Sequence, residues 1–464
     1  MRILAIITLL LTAQFLCAKQ DVKSNVYRDG DRACMVGDSI TAGGWYTSTI
    51  MLYYATRFPH EKIDFRNIGI SGDGCHGILW RMDWDIVPQL DKSKAVTVLM
   101  IGMNDVGRNK FSDSERRKLG ADGLQRKIDA TRKNYADNLA KVVDALADNS
   151  RKLVVFTPSI YDQTAKMECE NLFGVNDELV KFGEIGKSLA AKKSNAATVD
   201  MSDEMLKVNG ALQAKEGADK TIVGRDRVHP SFTGALVMLN RWLKDFKEPS
   251  TVSEIALNAK SGKLLQSFNT DISNLKFSKG KISFDSQAEA LPFPVESKSA
   301  GIDAYLKFQE NFNREILKIE GLEKGIYRLK IDGQTVGEYD DASLAKGVNL
   351  AANTNTPQYK QAENVYKLCS KFRGEAAKYR SIFMIELFNR KIMDKLDIDG
   401  KIEFAKKKFE SGSEKNGFVN NAYKNYAKNK KKQRAMFENL LEINEQIYRA
   451  AKPKTHSYEL AKTN

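Results

Sequence analysis

Ala33-Cys34-Met35-Val36-Gly37-Asp38-Ser39 is a short β-rich run that ends in a small, polar cluster, and the same pattern returns twice downstream. A run from Ile63 to Ile70 leads into Ser71-Gly72-Asp73, and one from Ala95 to Ile101 leads into Gly102-Met103-Asn104-Asp105. Two further β-rich runs, Leu153 to Pro158 and Ala197 to Met201, complete a set of five. Helical patterns lie between them. From Ala130 to Ala147, for example, Tyr135, Leu139, Val142, Val143 and Leu146 recur at spacings of one, three and four residues that trace one helix face. Strands alternating with crossover helices make parallel sheet, so the spacing predicts an α/β doubly wound open sheet from Arg32 to about Phe246. The last helix of that unit, Ser231 to Phe246, stops before Glu248-Pro249-Ser250, which marks a domain boundary.

In an open parallel sheet the carboxyl ends of the strands share one edge, and ligands bind in the crevice there. The three clusters are therefore expected to meet in space. A fourth segment, Asp226-Arg227-Val228-His229-Pro230, lies just before the last helix and can reach the same edge. The chain has only four histidines, so an Asp three residues before one of them narrows the search for a base. Acyl transfer needs an attacking oxygen, a base, a group that orients the base, and donors for the oxyanion. Ser39 can attack, His229 can take and return the proton, and Asp226 can hold the imidazole. The backbone N–H groups of Ser39 and Gly72 and the side-chain amide of Asn104 can receive the oxyanion. A residue without Cβ at position 72 lets main chain approach a substrate.

Gly37-Asp38-Ser39 with Ile40 for the usual leucine, Gly72, Gly102-Met103-Asn104-Asp105 and Asp226-Arg227-Val228-His229-Pro230 together resemble the signature blocks of the SGNH or GDSL hydrolase family. The likeness covers roughly Arg32 to Phe246. Four blocks in the right order are specific where one alone is weak. The resemblance implies a flavodoxin-like three-layer fold and hydrolysis of O-acyl esters. Ser39, Gly72, Asn104 and His229 take the four named positions, with Asp226 as the partner acid. Cys75 and His76 after Asp73 depart from the usual pattern and leave the acyl pocket open.

Rival readings of these residues fail on chemistry. Ser71 lacks the following Gly-spaced partner of a nucleophile elbow, because Asp73 stands where glycine is required. Gly186-Lys187-Ser188 imitates the end of a phosphate loop, yet Lys181 replaces the leading glycine and the preceding residues are helical. Asp38, Asp73 and Asp105 read as caps and turn acids rather than ligands, and His60, His76 and His456 have no metal-ligand spacing. No metal and no cofactor are expected. Trp45, Trp80 and His76 are candidates to line the cleft.

Outward from this core, 464 residues with 42% hydrophobic content and 28% charged suffice for more than one hydrophobic core and exclude disorder. Met1-Arg2 followed by the apolar stretch Ile3 to Cys17 has the form of a secretory signal, so a secreted or periplasmic protein is expected. Gln14-Phe15-Leu16 does not favour a lipid anchor at Cys17. Beyond the signal no run is long enough to span a membrane. Cys34, Cys75, Cys169 and Cys369 remain, and sequence does not choose a pairing among them.

The net charge of +14 is uneven, with about +10 after Ser250 and about +4 before it. Lysines that are spaced rather than clustered suit solvated helix faces; a contact with an acidic polysaccharide is the functional alternative, and an exported chain has little access to nucleic acid. Gly325-Ile326-Tyr327-Arg328-Leu329-Lys330-Ile331-Asp332-Gly333 predicts a β-hairpin, with Tyr327, Leu329 and Ile331 on one face and Asp332-Gly333 as its turn. From about Thr356 to Ala451 the pattern is helical, with Val365, Leu368, Phe372, Tyr379, Phe383 and Leu387 forming an apolar stripe. The hairpin and the helices after it resemble the tail of secreted SGNH proteins of polysaccharide-degrading marine bacteria, which implies carbohydrate esters. The expected organisation is a signal peptide at 1–18, a hydrolase domain at 19–250, a small β-rich region at 251–350 and a basic helical region at 351–464. The expected activity is that of an exported serine esterase acting on O-acetyl esters of a carbohydrate or another small ester. A lysophospholipase or lipase, and a non-catalytic polysaccharide-binding protein, are the alternatives.

Overall fold

The computed structural model describes residues 22–412 and 416–463, so the segment 1–18 read as a signal peptide, with Cys17, lies outside the described residues. The hydrolase unit runs β1 (Arg32–Gly37), α1 (Ser39–Gly43), α2 (Trp45–Arg57), β2 (Asp64–Asn67), α3 (Cys75–Trp80), β3 (Ala95–Met100), α4 (Asp113–Asp148), β4 (Lys152–Phe156), α5 (Val175–Ala190), β5 (Ala196–Val199), α6 (Met201–Glu216) and α7 (Phe232–Phe246). Its five strands are parallel in the order β2-β1-β3-β4-β5. This is the flavodoxin-like doubly wound sheet expected from the sequence. Helices cover both faces: α2 packs on α7, and α4 packs on α5. Strand order reverses between β1 and β3, so the connections that leave their carboxyl ends run to opposite sides of the sheet and leave a crevice.

After the boundary come β6 (Thr251–Asn258), β7 (Lys263–Phe268), β8 (Thr270–Ser278), β9 (Lys281–Ala288), α8 (Asp303–Leu306), α9 (Phe308–Asn311), β10 (Arg314–Glu320), β11 (Ile326–Ile331), β12 (Gln334–Asp340), α10 (Asp341–Lys346) and β13 (Val348–Asn349). The predicted hairpin is β11–β12, where Asp332 (φ 50°) and Gly333 (φ 75°) both take the left-handed conformation that a tight two-residue turn needs. The remaining elements are α11 (Pro357–Phe388), α12 (Arg390–Met393), α13 (Ile398–Glu410), α14 (Gly417–Asn429), α15 (Gln433–Ala451) and β14 (His456–Lys462). The helical expectation for the chain end needs one correction. His456–Lys462 is a strand, and it pairs with β9 and β11 at the centre of a five-stranded sheet ordered β12-β11-β14-β9-β8. That sheet faces a second, ordered β13-β10-β6-β7, across a core that holds Leu257, Phe284, Ile319, Leu329 and Leu460. A terminal strand with only three buried positions leaves too short a pattern to stand out from the helices before it.

Helix α11 ties the molecule together. Its first half places Val365, Cys369, Phe372 and Ala376 in the hydrolase core, and its second half packs Ile382, Phe383, Met384 and Leu387 with Ala405, Tyr423 and Tyr426 of α13 and α14. The predicted apolar stripe is thus internal packing. At its start, Gln358 Nε2 donates to Glu315 Oε1 of β10 at 2.7 Å. Burial pushes the Glu315 carboxyl up to about 7, against the hydrogen bond from Gln358 and the charge of Arg57. A raised carboxyl stabilises the fold fully below its unfolded value and loses that contribution as pH rises through the folded one. Melting temperature is therefore expected to fall more between pH 5 and pH 8 in the wild type than in Glu315→Gln. Parallel profiles would rule this out.

Among the described residues, Cys34, Cys75, Cys169 and Cys369 are free thiols, and no helix is long and apolar enough to cross a membrane.

Candidate active site

Strand β1 delivers Ser39 through a turn that only glycine permits. A Cβ on Gly37 would stand 2.4 Å from the Met100 carbonyl oxygen and 2.3 Å from Thr41 Oγ1. Asp38 then caps α1, its carboxylate accepting from the Ile40 N–H at 3.0 Å. Burial pushes the Asp38 carboxyl up to about 7, although the Ile40 N–H pulls the other way. Ser39, the first residue of α1, projects into the crevice. Its Oγ lies 2.7 Å from His229 Nε2, and His229 Nδ1 is hydrogen-bonded to Asp226 Oδ2.

The loop that carries His229 is held from behind. Asp226 Oδ1 accepts from the backbone N–H groups of Val228 and His229, both at 3.1 Å. Burial acts to raise the Asp226 carboxyl, but the hydrogen bonds from the His229 side chain and the backbone outweigh it and hold the group well below the usual carboxylate range. Asp226 stays ionised and fixes the imidazole. Arg227 adopts a left-handed conformation (φ 64°) that a non-glycine residue enters at a cost. Its buried guanidinium offsets this by donating to the carbonyls of Asp162, Ala165, Cys169 and Glu170 at 2.9–3.2 Å. The sequence pattern gave Arg227 no role; the structure makes it the anchor of the histidine loop.

The donor side comes from the ends of β2 and β3. Asp73 N–H bonds to the Ile70 carbonyl at 3.1 Å, closing a turn in which Gly72 sits third with φ 83°. Such a turn requires a positive φ at that position, and glycine supplies it without strain. Asn104 Nδ2 donates one hydrogen to the Asp73 carbonyl at 2.8 Å and keeps a second for another acceptor. Among the described residues, the N–H groups of Ser39 and Gly72 have no protein acceptor. Ser39, Gly72, Asn104, Asp226 and His229 line one cavity of about 680 Å³. All five residues singled out in the sequence therefore meet. Cys75 and Asp105 stand behind them: Asp105 Oδ1 accepts from the Cys75 N–H at 2.8 Å, and burial pushes its carboxyl up to about 6.

The far wall was not legible in the sequence. Met384, Ile385 and Phe388 of α11, with Phe418, Val419 and Tyr423 of α14, close the cavity opposite Ser39. The helical region thus roofs the hydrolase crevice. Trp45 and Trp80 do not line it. Arg373 covers the Trp45 ring at 3.6 Å, and Trp80 lies between Arg390 and the edge of Trp84. His76 lines a neighbouring cavity of about 550 Å³ that shares Gly72, Asn104 and Phe388 with the first.

A serine, histidine and carboxylate stand in line at the edge of a flavodoxin-like sheet, the arrangement that nucleophilic ester hydrolysis requires. The model of the GDSL-like lipase/acylhydrolase family matches residues 35–236, and that domain belongs to this family: the protein is an ester hydrolase. Among solved structures, a gut microbial diltiazem-metabolizing enzyme is 29% identical over 94% of this chain and 98% of its own, with a TM-score of 0.84. The likeness therefore runs through the sandwich and the helical region as well. The acetylxylan esterase Axe2 from Geobacillus stearothermophilus is 19% identical, covering 48% of this chain and 96% of its own with a TM-score of 0.37. An alpha/beta hydrolase from the metagenome of Lake Arreo, Spain, is also 19% identical, with 48% and 98% covered and a TM-score of 0.38. No curated protein sequence matches the chain.

Proposed function

We propose that the protein is an exported serine esterase that removes acetyl groups from a carbohydrate through an acyl-enzyme on Ser39. The observation that carries the reading is the 2.7 Å contact of Ser39 Oγ with His229 Nε2, on a ring held by Asp226. Ser39 Oγ gives its proton to His229 Nε2 and bonds to the acyl carbon. The resulting oxyanion takes hydrogen bonds from the N–H groups of Ser39 and Gly72 and from the free hydrogen of Asn104. His229 returns the proton to the leaving alcohol as the carbon–oxygen bond breaks. A water then repeats the sequence, losing its proton to His229, and releases the acid and Ser39. Each oxyanion donor of this kind contributes about 2.7–4 kcal/mol to the transition state.

Export rests on the N-terminal run from Met1 to Cys17, and the carbohydrate on the hairpin tail from Gly325 to Gly333. The likeness to a diltiazem-metabolizing enzyme over 94% of this chain supports a small discrete molecule as the substrate of this architecture. The apolar wall from Met384 to Tyr423 favours a second reading, in which a longer acyl chain occupies the cavity. Hydrolysis of aryl acetate, butyrate and octanoate separates the two. Acetate is expected to give the highest kcat/KM, by about tenfold or more over octanoate, since lost contacts of this size are worth roughly 1–3 kcal/mol. Preference for octanoate would replace the acetyl reading with the lipase one.

A further inference from the structure

We infer that the natural ester carries an anionic oxyacid group, carboxylate or sulfate, on its alcohol part, and that Arg108 receives it. The inference rests on the reading of Ser39 as the attacking group, which fixes where the alcohol part must lie.

Arg108 opens the one-turn segment Arg108–Phe111 just after the third cluster, behind Gly107 at φ 61°. It lines the same cavity as Ser39, Gly72, Asn104 and His229. The other charges of that cavity are engaged. Asp226 holds His229, and Arg380 is bonded twice to Asp85, at 2.8 and 2.6 Å. Among the described residues no carboxylate lies within ion-pair distance of the Arg108 guanidinium, and its Nη1 is buried without an acceptor. One nitrogen of this half-buried guanidinium is thus out of water without an acceptor, and an oxyanion paired with the fork supplies charge-assisted hydrogen bonds that the protein leaves unmade.

The surroundings agree. In the adjoining cavity Arg390 and Lys391 face the crevice, and neither has a carboxylate partner among the described residues. The acids nearby are turned inward: Asp73 bonds to Arg81 at 2.8 Å, and Asp105 to the Cys75 N–H. The mouth of the site is therefore positive, a field that draws anionic substrates and weakens with salt. An acetyl group is too small to carry the charge, so the anion belongs to the alcohol.

The test compares 4-acetoxybenzoate and 4-acetoxybenzenesulfonate with neutral 4-acetoxybenzamide, in the full chain and in Arg108→Gln and Arg108→Lys. The wild type is expected to favour one of the anionic esters over the amide by about tenfold in kcat/KM at low ionic strength, mostly through KM, with the preference shrinking in added NaCl. Arg108→Gln brings the ratio close to one, and Arg108→Lys restores part of it. The stronger of the two anionic arms identifies the group. A wild-type ratio near one, or a ratio unchanged in Arg108→Gln, overturns the proposal. If no ester turns over, the reading of Ser39 fails by itself. Calorimetry of 4-hydroxybenzoate and 4-hydroxybenzenesulfonate binding to Ser39→Ala then decides the anion site. Binding weakened tenfold by added Arg108→Gln upholds it; equal binding ends it.

Discussion

Ser39→Ala is expected to lower kcat for aryl acetate by about 10⁴-fold or more, and His229→Ala to do the same. The double variant should lose little beyond either single one, because the hydroxyl and the imidazole act on one proton. Asp226→Asn is expected to be nearly as damaging. Its amide can still accept from the N–H groups of Val228 and His229, which keeps the loop in place. It cannot hold an imidazolium, and its NH₂ group turned toward Nδ1 favours the wrong tautomer. The carboxyl of Asp226 is held so far down that it remains ionised through the working range, so loss of activity on mild acidification must come from another group. Thermal melts provide the control. Among the described residues Ser39 makes its one side-chain hydrogen bond to His229, so Ser39→Ala should melt close to the wild type. Rates within tenfold of wild type in Ser39→Ala would exclude it as nucleophile.

The hydrolase unit was legible because its signals are local. Gly37 ends, and Gly72 and Asn104 closely follow, a strand whose β-rich run can be read directly, and the parallel topology brings those ends together without any knowledge of side-chain contacts. Asp226 and His229 are three residues apart and report on each other. The hairpin at Asp332-Gly333 is equally local. What escaped is what depends on distant partners. Phe388 and Phe418 read as parts of solvated or internally packed helices, because nothing in their spacing says that α11 and α14 lie over Ser39. Arg227 and Arg108 look like ordinary basic loop residues until one is seen buried among four carbonyls and the other unpaired. Trp45 and Trp80 were candidates on ring chemistry alone, whereas their faces are taken by Arg373 and Arg390.

The pairing least visible in the sequence carries the second large effect. Asp73, Arg81, Asp85 and Arg380 form a buried chain of alternating charge. Arg81 donates to Asp73 at 2.8 Å and to Asp85 at 2.7 Å, and Arg380 donates to both oxygens of Asp85. Burial acts to raise the Asp85 carboxyl, but the two guanidiniums prevail and hold it below the usual range. Asp85→Ala leaves the buried Arg380 without a carboxylate and Arg81 with Asp73 alone. Breaking a buried pair in this way costs about 3–5 kcal/mol, a large share of the 5–15 kcal/mol typical of a folded domain. A marked fall in the denaturation midpoint is therefore expected, with the roof helices opening first. Arg380 also donates to the carbonyls of Gly69 and Ile68, just ahead of the turn that presents Gly72. Loosening α11 should thus lower kcat through the oxyanion side while Ser39 and His229 stay paired. Asp85→Leu combined with Arg380→Met removes one charge of each sign and keeps the Asp73–Arg81 pair. It is expected to recover part of the lost stability, because an apolar replacement avoids the unpaired charge. A double variant no more stable than Asp85→Ala would mean that packing around Asp85, not charge balance, fastens the roof to the sheet.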